Sequence, residues 1–200
     1  SSQVSFSQLC GWRFRFAGSG LTVGLNPLNP NSVYAEGEIG KLYVSYNYGL
    51  TWNLLGIPGS RGIRQILVHP NDTLTIFCVA EDTAGLRRST DYGATWTKVI
   101  ANYGLDGEAL TYDPLHPDTM YAGNFFGGGI YRSLNRGAAW SLIGSVGIPI
   151  CGLTVRPDSL NIMYAGSGTG RISKSTDFGA HWRFVKSASG FEIPRIEINR

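Results

Sequence analysis

The sequence predicts an all-β protein, a β-propeller of four-stranded antiparallel blades, on three observations. An eight-residue pattern, Ser-x-Asp/Asn-x-Gly-x-x-Trp, occurs four times and ends at Trp52, Trp96, Trp140 and Trp182, which stand 44, 44 and 42 residues apart. A second signal runs out of phase with the first: Pro27, Pro70, Pro114 and Pro157, spaced 43, 44 and 43 residues apart, each follow a short apolar run. The chain has 27 glycines among 200 residues, 42% hydrophobic and 16% charged, which is the composition of a turn-rich β protein. A period of roughly 40–50 residues with a fixed turn and strand-like flanks marks propeller blades.

Each unit follows one plan. The first strands are read at 22–25, 65–68, 109–112 and 152–155, and each is closed by its proline, which cannot donate to a ladder. The second strands hold an aromatic followed by a small residue: Tyr34-Ala35, Phe77-Cys78, Tyr121-Ala122 and Tyr164-Ala165. The third, at 41–44, 85–88, 129–132 and 171–174, run into the eight-residue pattern, and the fourth are expected to start at the Trp.

The pattern reads as a turn before anything else. Its positions are Ser45, Asn47, Gly49 and Trp52, then Ser89, Asp91, Gly93 and Trp96, then Ser133, Asn135, Gly137 and Trp140, then Ser175, Asp177, Gly179 and Trp182. The Asp or Asn is expected to bond backbone amides two residues on, and the Gly to take positive φ. The Trp offers a large apolar face and one N–H that needs an acceptor. Asn47 and Asn135 fill the third position without charge, so a turn role is favoured over metal binding or acid catalysis for Asp91 and Asp177.

This pattern resembles the Asp-box, or BNR repeat, of sialidases, xyloglucanases, sortilin-like receptors and the photosystem II assembly factor, over about residues 21 to 200. The resemblance implies a propeller with the box on the hairpin between third and fourth strands, at the periphery and away from the ligand face. It leaves enzyme and binding protein both open. A sialidase of that kind carries Phe/Tyr-Arg-Ile-Pro ahead of its boxes, whereas this chain has Phe191-Glu192-Ile193-Pro194 after them. Phe125 to Arg132 resembles glycine-rich strands of xyloglucanase-like propellers.

The expected organisation is one propeller domain or part of one. Residues 1–20 read as the tail of a preceding blade, since Trp12-Arg13-Phe14 resembles Trp182-Arg183-Phe184. Blades follow at 21–61, 62–104, 105–147 and 148–190, and 191–200 reads as the first strand of another. About four and a half blades are therefore present, and a ring of about seven would need roughly 300 residues.

The candidate binding residues lie in connecting segments: Arg61, Arg64, Tyr103, Phe125, Phe126 and Arg156. Arginines suit carboxylate or phosphate pairing and stacking, and exposed aromatics suit sugar rings or protein hot spots. Arg88, Arg132 and Lys174 stand just before three of the four turns. They read either as a basic rim or, more plainly, as cations stacked on the turn Trp or paired with its acid. The acid pairs Glu36/Glu38, Glu81/Asp82 and Asp106/Glu108 are sequence neighbours on loops, a poor geometry for two carboxylates that must oppose each other across a glycosidic bond.

A net charge of +3 gives no case for nucleic acid. No apolar run reaches the ~20 residues of a membrane helix. Cys10, Cys78 and Cys151 lie far apart with no zinc spacing, and Cys78 reads as a small buried residue. No metal and no cofactor is expected. With repeats intact and no catalytic set visible, the favoured function is a non-catalytic binding or scaffolding module, an accessory or assembly subunit that meets a protein partner outside the cytoplasm. The alternative is a xyloglucanase-like glycoside hydrolase, with glycan as ligand and its acids partly outside this chain. A small polar start, Ser1-Ser2-Gln3, suits an extracellular or periplasmic chain whose signal peptide has been removed.

Overall fold

The computed structural model describes residues 22–37, 40–59, 62–80, 85–100, 109–187 and 193. Among them sixteen strands form four separate four-stranded sheets. The first sheet is β1 (Val23–Leu25), β2 (Val33–Glu36), β3 (Leu42–Ser45) and β4 (Asn53–Gly56). The second is β5 (Ile63–His69), β6 (Asp72–Ala80), β7 (Leu86–Ser89) and β8 (Thr97–Ile100). The third is β9 (Leu110–Tyr112), β10 (Met120–Gly123), β11 (Gly129–Ser133) and β12 (Ser141–Ser145). The fourth is β13 (Ile150–Val155), β14 (Met163–Ser167), β15 (Arg171–Ser175) and β16 (Arg183–Ser187). Every sheet is an antiparallel meander in sequence order, as the repeat pattern predicts for propeller blades. The four prolines fall one or two residues past the ends of β1, β5, β9 and β13. Each fourth strand begins one residue after its Trp, because the Trp belongs to the turn. The proposed tail at 1–20 lies outside the described residues, and of 191–200 only Ile193 is described.

The first strands run side by side, β1 against β5, β5 against β9 and β9 against β13. The core therefore lies in the seams between sheets. Tyr34, Leu42 and Val44 close on Val68, Ile76 and Cys78. Phe77, Val79 and Leu86 meet Leu110, Met120 and Ala122. Tyr121 and Ile130 meet Leu153, Val155, Met163 and Ala165. Neighbours such as Phe77 and Cys78 enter different seams, because successive side chains of a strand point to opposite faces and both faces of an interior blade are buried.

The four turns share one hydrogen-bond circuit. In the second, the Ser89 hydroxyl donates to Asp91 Oδ1 (2.7 Å), and its oxygen accepts the amides of Asp91 (3.2 Å) and Gly93 (2.7 Å). Asp91 Oδ1 accepts the Thr95 amide at 2.9 Å, four residues on rather than the two expected, because the Ser oxygen already takes the nearer amides. Asn47, Asn135 and Asp177 do the same for residues 51, 139 and 181. Trp96 Nε1 donates to the Gly93 carbonyl (2.9 Å), and Trp52, Trp140 and Trp182 repeat the bond. Positive φ falls on the glycine and also on the residue before it: Tyr48 (58°), Tyr92 (59°), Arg136 (56°) and Phe178 (59°).

These turns key one sheet to the one before it. Trp96, Trp140 and Trp182 pack on the preceding seam's core. A β-bulge recurs in each fourth strand and leaves Leu55, Val99, Ile143 and Val185 without a ladder partner. The first three of these residues lie against the following sheet's turn or core. A bulge re-aims a side chain at the expense of one pairing, and here it points an apolar residue into the seam.

The bases before the turns neither stack on the turn Trp nor pair with its acid. Arg88 Nε donates across the seam to the carbonyl of Arg136 (2.9 Å). Arg132 stands opposite Tyr121, where its charge offsets part of the rise that burial gives the Tyr121 hydroxyl, and Lys174 Nζ sits 5.6 Å from the Tyr164 ring centroid. Antiparallel register is the reason: Arg132 and Lys174 lie directly opposite the second-strand tyrosines, not the Trp or the turn acid. Other polar ties cross the second seam. The Gln65 side-chain amide donates to the Leu110 carbonyl (2.8 Å) and its oxygen accepts the Leu110 amide (3.0 Å), as a neighbouring strand would. The buried His69 ring accepts the Asn71 amide at Nδ1 (3.3 Å), so Nε2 carries the proton it donates to the Pro117 carbonyl (3.0 Å).

Candidate functional site

A meander places the loops after second strands at one end of every sheet and the Trp turns at the other. The best-defined feature of the loop end is Asn124–Gly129 in the third sheet. Asn124 Oδ1 accepts the Phe126 amide (3.0 Å), and the Asn124 amide donates to the Gly129 carbonyl (2.8 Å). Gly127 and Gly128 take positive φ (84° and 65°), which turns the chain back at once. Gly128 also has no room for a side chain, since a Cβ there would lie 2.7 Å from the Ile148 nitrogen. The Gly128 carbonyl accepts the Val146 amide (2.8 Å), and the Ser145 hydroxyl reaches the carbonyls of Gly127 and Gly128 (3.1 and 3.2 Å).

This anchoring presents Phe126 to solvent, 69% exposed, on a backbone fixed at both sides. Phe125 supports it edge-on, with ring centroids 5.4 Å apart and planes at 86°. Phe125 is half-buried and reaches toward Gly168 of the fourth sheet. An exposed ring on a pre-ordered loop loses little entropy when a flat apolar face stacks on it.

The other sequence candidates are placed as follows. Arg64 is half-buried near the start of β5, at the loop end of its sheet. Arg156 follows β13 at the far end, where its guanidinium grips Asp158 with two bonds, one of 2.9 Å. Asp158 raises the Arg156 pKa by that bonding and by its charge. The candidates with described positions thus divide between the two ends. Arg61 and Tyr103 lie outside the described residues, as do Glu38, Glu81, Asp82, Asp106 and Glu108.

Each carboxylate among the described residues has structural work. Glu36, buried, accepts the amides of Gly40 (3.1 Å) and Ile63 (3.0 Å) through one oxygen. Asp72 caps Leu74 and Thr75, and Asp113 caps Leu115 and His116. Asp118 pairs with Arg136 (2.7 Å) and Asp158 with Arg156. Asp91 and Asp177 are held by their turns. No opposed pair for bond cleavage forms among them, and no group of His, Cys, Asp and Glu among the described residues has the arrangement of a metal site. Burial, then the Glu36 carboxylate, push the Cys78 thiol well up, as befits an unreactive core residue. Sequence reasoning missed Glu36 and Asn124 as loop-end organisers. The signal present was that Glu36 stands two residues after its second-strand tyrosine, where the third and fourth units have Gly123 and Gly166.

No protein-family model matches the chain. It is similar to the xyloglucanase Xgh74A of Acetivibrio thermocellus, 28% identical over 156 residues, covering 64% of this chain and 18% of that protein. It is also similar to a xyloglucanase of Hypocrea jecorina, 32% identical over 174 residues, covering 72% and 20%. Among solved structures, an ancestral GH74 enzyme superposes with a TM-score of 0.70 at 22% identity, covering 83% of this chain and 24% of that one, a likeness of fold. The chain spans about a fifth of the length of the curated relatives it matches. The four sheets are blades of a β-propeller. Among the described residues no helix is long and apolar enough to cross a membrane.

Proposed function

We propose that this chain is part of the Asp-box propeller of a xyloglucan-acting glycoside hydrolase, and that its loop end, centred on Phe126, binds sugar rings of the polysaccharide. The observation that carries the reading is the 32% identity to a xyloglucanase along 174 residues, most of the repeat array. That similarity favours the hydrolase over the scaffolding module that intact repeats alone suggested. The pinned aromatic loop supports it, since a rigid exposed ring suits a pyranose face. The described carboxylates are committed to turns, caps, ion pairs and buried amides, so the described residues bind, and the acid and its partner come from residues outside them. Arg64 and, outside the described residues, Arg61 and Tyr103 are retained as further contacts at the loop end. The blade limits 21–61, 62–104, 105–147 and 148–190 and a location outside the cytoplasm belong to the same reading.

The test is native electrophoresis in gels containing soluble xyloglucan, alongside release of reducing ends by the protein that carries this chain. Retardation that weakens about tenfold in Phe126→Ala, with hydrolysis of xyloglucan by the whole protein, is expected. Unretarded migration together with no hydrolysis would overturn the reading.

A further inference from the structure

We propose that the sugar-binding surface centred on Phe126 continues across the third seam onto the fourth sheet, where Arg171, laid on the ring of Phe184, holds the hydroxyls of the next sugar residue. The inference rests on the xyloglucan reading above and adds to it a polar contact outside the residues named there.

The fourth sheet meets the Phe126 loop with a turn as firmly ordered as that loop. The Ser167 hydroxyl oxygen accepts the amides of Thr169 (3.2 Å) and Arg171 (3.0 Å), and the Gly170 amide donates to the Ser167 carbonyl (3.1 Å). That circuit fixes the backbone at Arg171, the first residue of β15. The two loops adjoin at Gly168, where a Cβ would lie 3.7 Å from Phe125 Cε2 and 3.4 Å from Cys151 Sγ. The ring that supports Phe126 is thus seated on the turn that leads into Arg171.

Register decides which way Arg171 faces. Ser173 lies opposite Ala165, a member of the third-seam core, and on its other side opposite Phe184. Arg171 stands two residues before Ser173, so it shares that face and looks toward the third sheet, whose loop carries Phe126. Phe184, 52% exposed, lies under the guanidinium, with Arg171 Cζ 5.0 Å from the ring centroid.

The guanidinium is positioned but not consumed. Arg88 donates to the Arg136 carbonyl, Arg136 to Asp118 and Arg156 to Asp158. Among the described residues no oxygen accepts a hydrogen bond from the Arg171 side chain, which has the ring instead. The only acid between Arg171 and Ser187 is Asp177, and Ser175 and His181 hold it within its turn. Stacking on a ring sets the plane of the fork and leaves its N–H edges for a pair of oxygens outside the protein. Vicinal hydroxyls of a pyranose supply such a pair, and a chain already stacked on Phe126 brings its next residue along the same surface. An apolar ring with a fixed donor beside it is the composition of a ligand site.

The experiment immobilises the protein that carries this chain and passes single-repeat and double-repeat xyloglucan oligosaccharides over it in flow, so that cleaved ligand is replaced. Wild type, Phe126→Ala, Arg171→Ala and Arg171→Lys are compared. The wild type is expected to bind the longer ligand about tenfold more tightly, and Arg171→Ala to lose that gain while keeping its affinity for the shorter, since one hydrogen bond from a charged donor is worth about that factor. Arg171→Lys keeps the charge without the planar fork and should recover less than half of the gain. Phe126→Ala should weaken both lengths. Arg171→Ala equal to wild type on both lengths, with Phe126→Ala weakened, would overturn the Arg171 contact and leave the xyloglucan reading intact. Equal weakening of both lengths in Arg171→Ala, together with a lowered melting temperature, would assign Arg171 to folding alone and overturn the contact. A wild type that binds neither length would remove the xyloglucan reading and the contact with it.

Discussion

Glu36 Oε1 lies 3.0 Å from the amide nitrogen of Ile63, and so a carboxylate bridges the first seam where two later joints use backbone. At the two later seams the corresponding amides, of Ile150 and Ile193, donate to the carbonyls of Asn124 and Ser167. Glu36 also accepts the Gly40 amide, so two buried donors depend on it. Glu36→Ala is expected to cost about 2–4 kcal/mol in chemical denaturation, from two donors left without an acceptor. Glu36→Gln keeps an acceptor oxygen and is expected to lose less than half of that. Equal losses would show that the carboxylate's charge, and not its acceptor geometry, holds the seam.

The third seam depends on an absence of side chain. A Cβ on Gly144 would stand 2.6 Å from the Ala180 carbonyl of the next turn. Gly144→Ala is expected to destabilise by about 2 kcal/mol through backbone displacement. Amide exchange should rise first in the 176–182 turn, and uniform exchange across all four blades would contradict this.

Acid should loosen two of the four turns. The Thr95 hydroxyl and amide, then Ser89, hold Asp91 at about 2. The His181 amide and ring, then Ser175, hold Asp177 at about 2. Both values lie below the ordinary 3.8. Their stabilisation is therefore complete above that pH and is lost as pH falls toward the folded value. Melting temperature should drop between about pH 4 and pH 2. Asn47 Nδ2 already donates to Thr51 Oγ1 (2.9 Å) in a turn that never ionises. Asp91→Asn/Asp177→Asn should then fold and show a shallower drop than the wild type.

Tyr48→Asn should raise stability by about 0.5 kcal/mol, because asparagine tolerates the left-handed backbone better and the ring is mostly in solvent. Thermal unfolding checks it, and a fall would mean that the ring packs more than its exposure indicates.

Strand order, the turn positions and the direction of the first strands were legible because they recur, and a period of two overlapping signals leaves little freedom of register. The Asn47 and Asn135 turns even disclosed that Asp91 and Asp177 are structural, since a neutral residue does the same task. What recurrence cannot disclose is what happens once. Gln65, whose amide imitates a strand for Leu110, has Ala109 and Gly152 in the matching places. Arg88 and Lys174 looked alike in sequence, yet one reaches the next turn's carbonyl and the other a ring in its own sheet. Those outcomes depend on what the following blade presents, which no local pattern records. Phe126 was legible as an aromatic in a glycine-rich loop, but the clamp by Ser145 that makes it rigid comes from 17 and 18 residues away.

The Gln65 clamp on Leu110 makes the second joint unlike its neighbours. It holds two backbone groups of the following blade by a side chain that the other units do not carry, since Thr22, Ala109 and Gly152 stand in the matching places. Blades that share one fold are thus fastened to one another by unequal means, and equal repeats do not make equal joints.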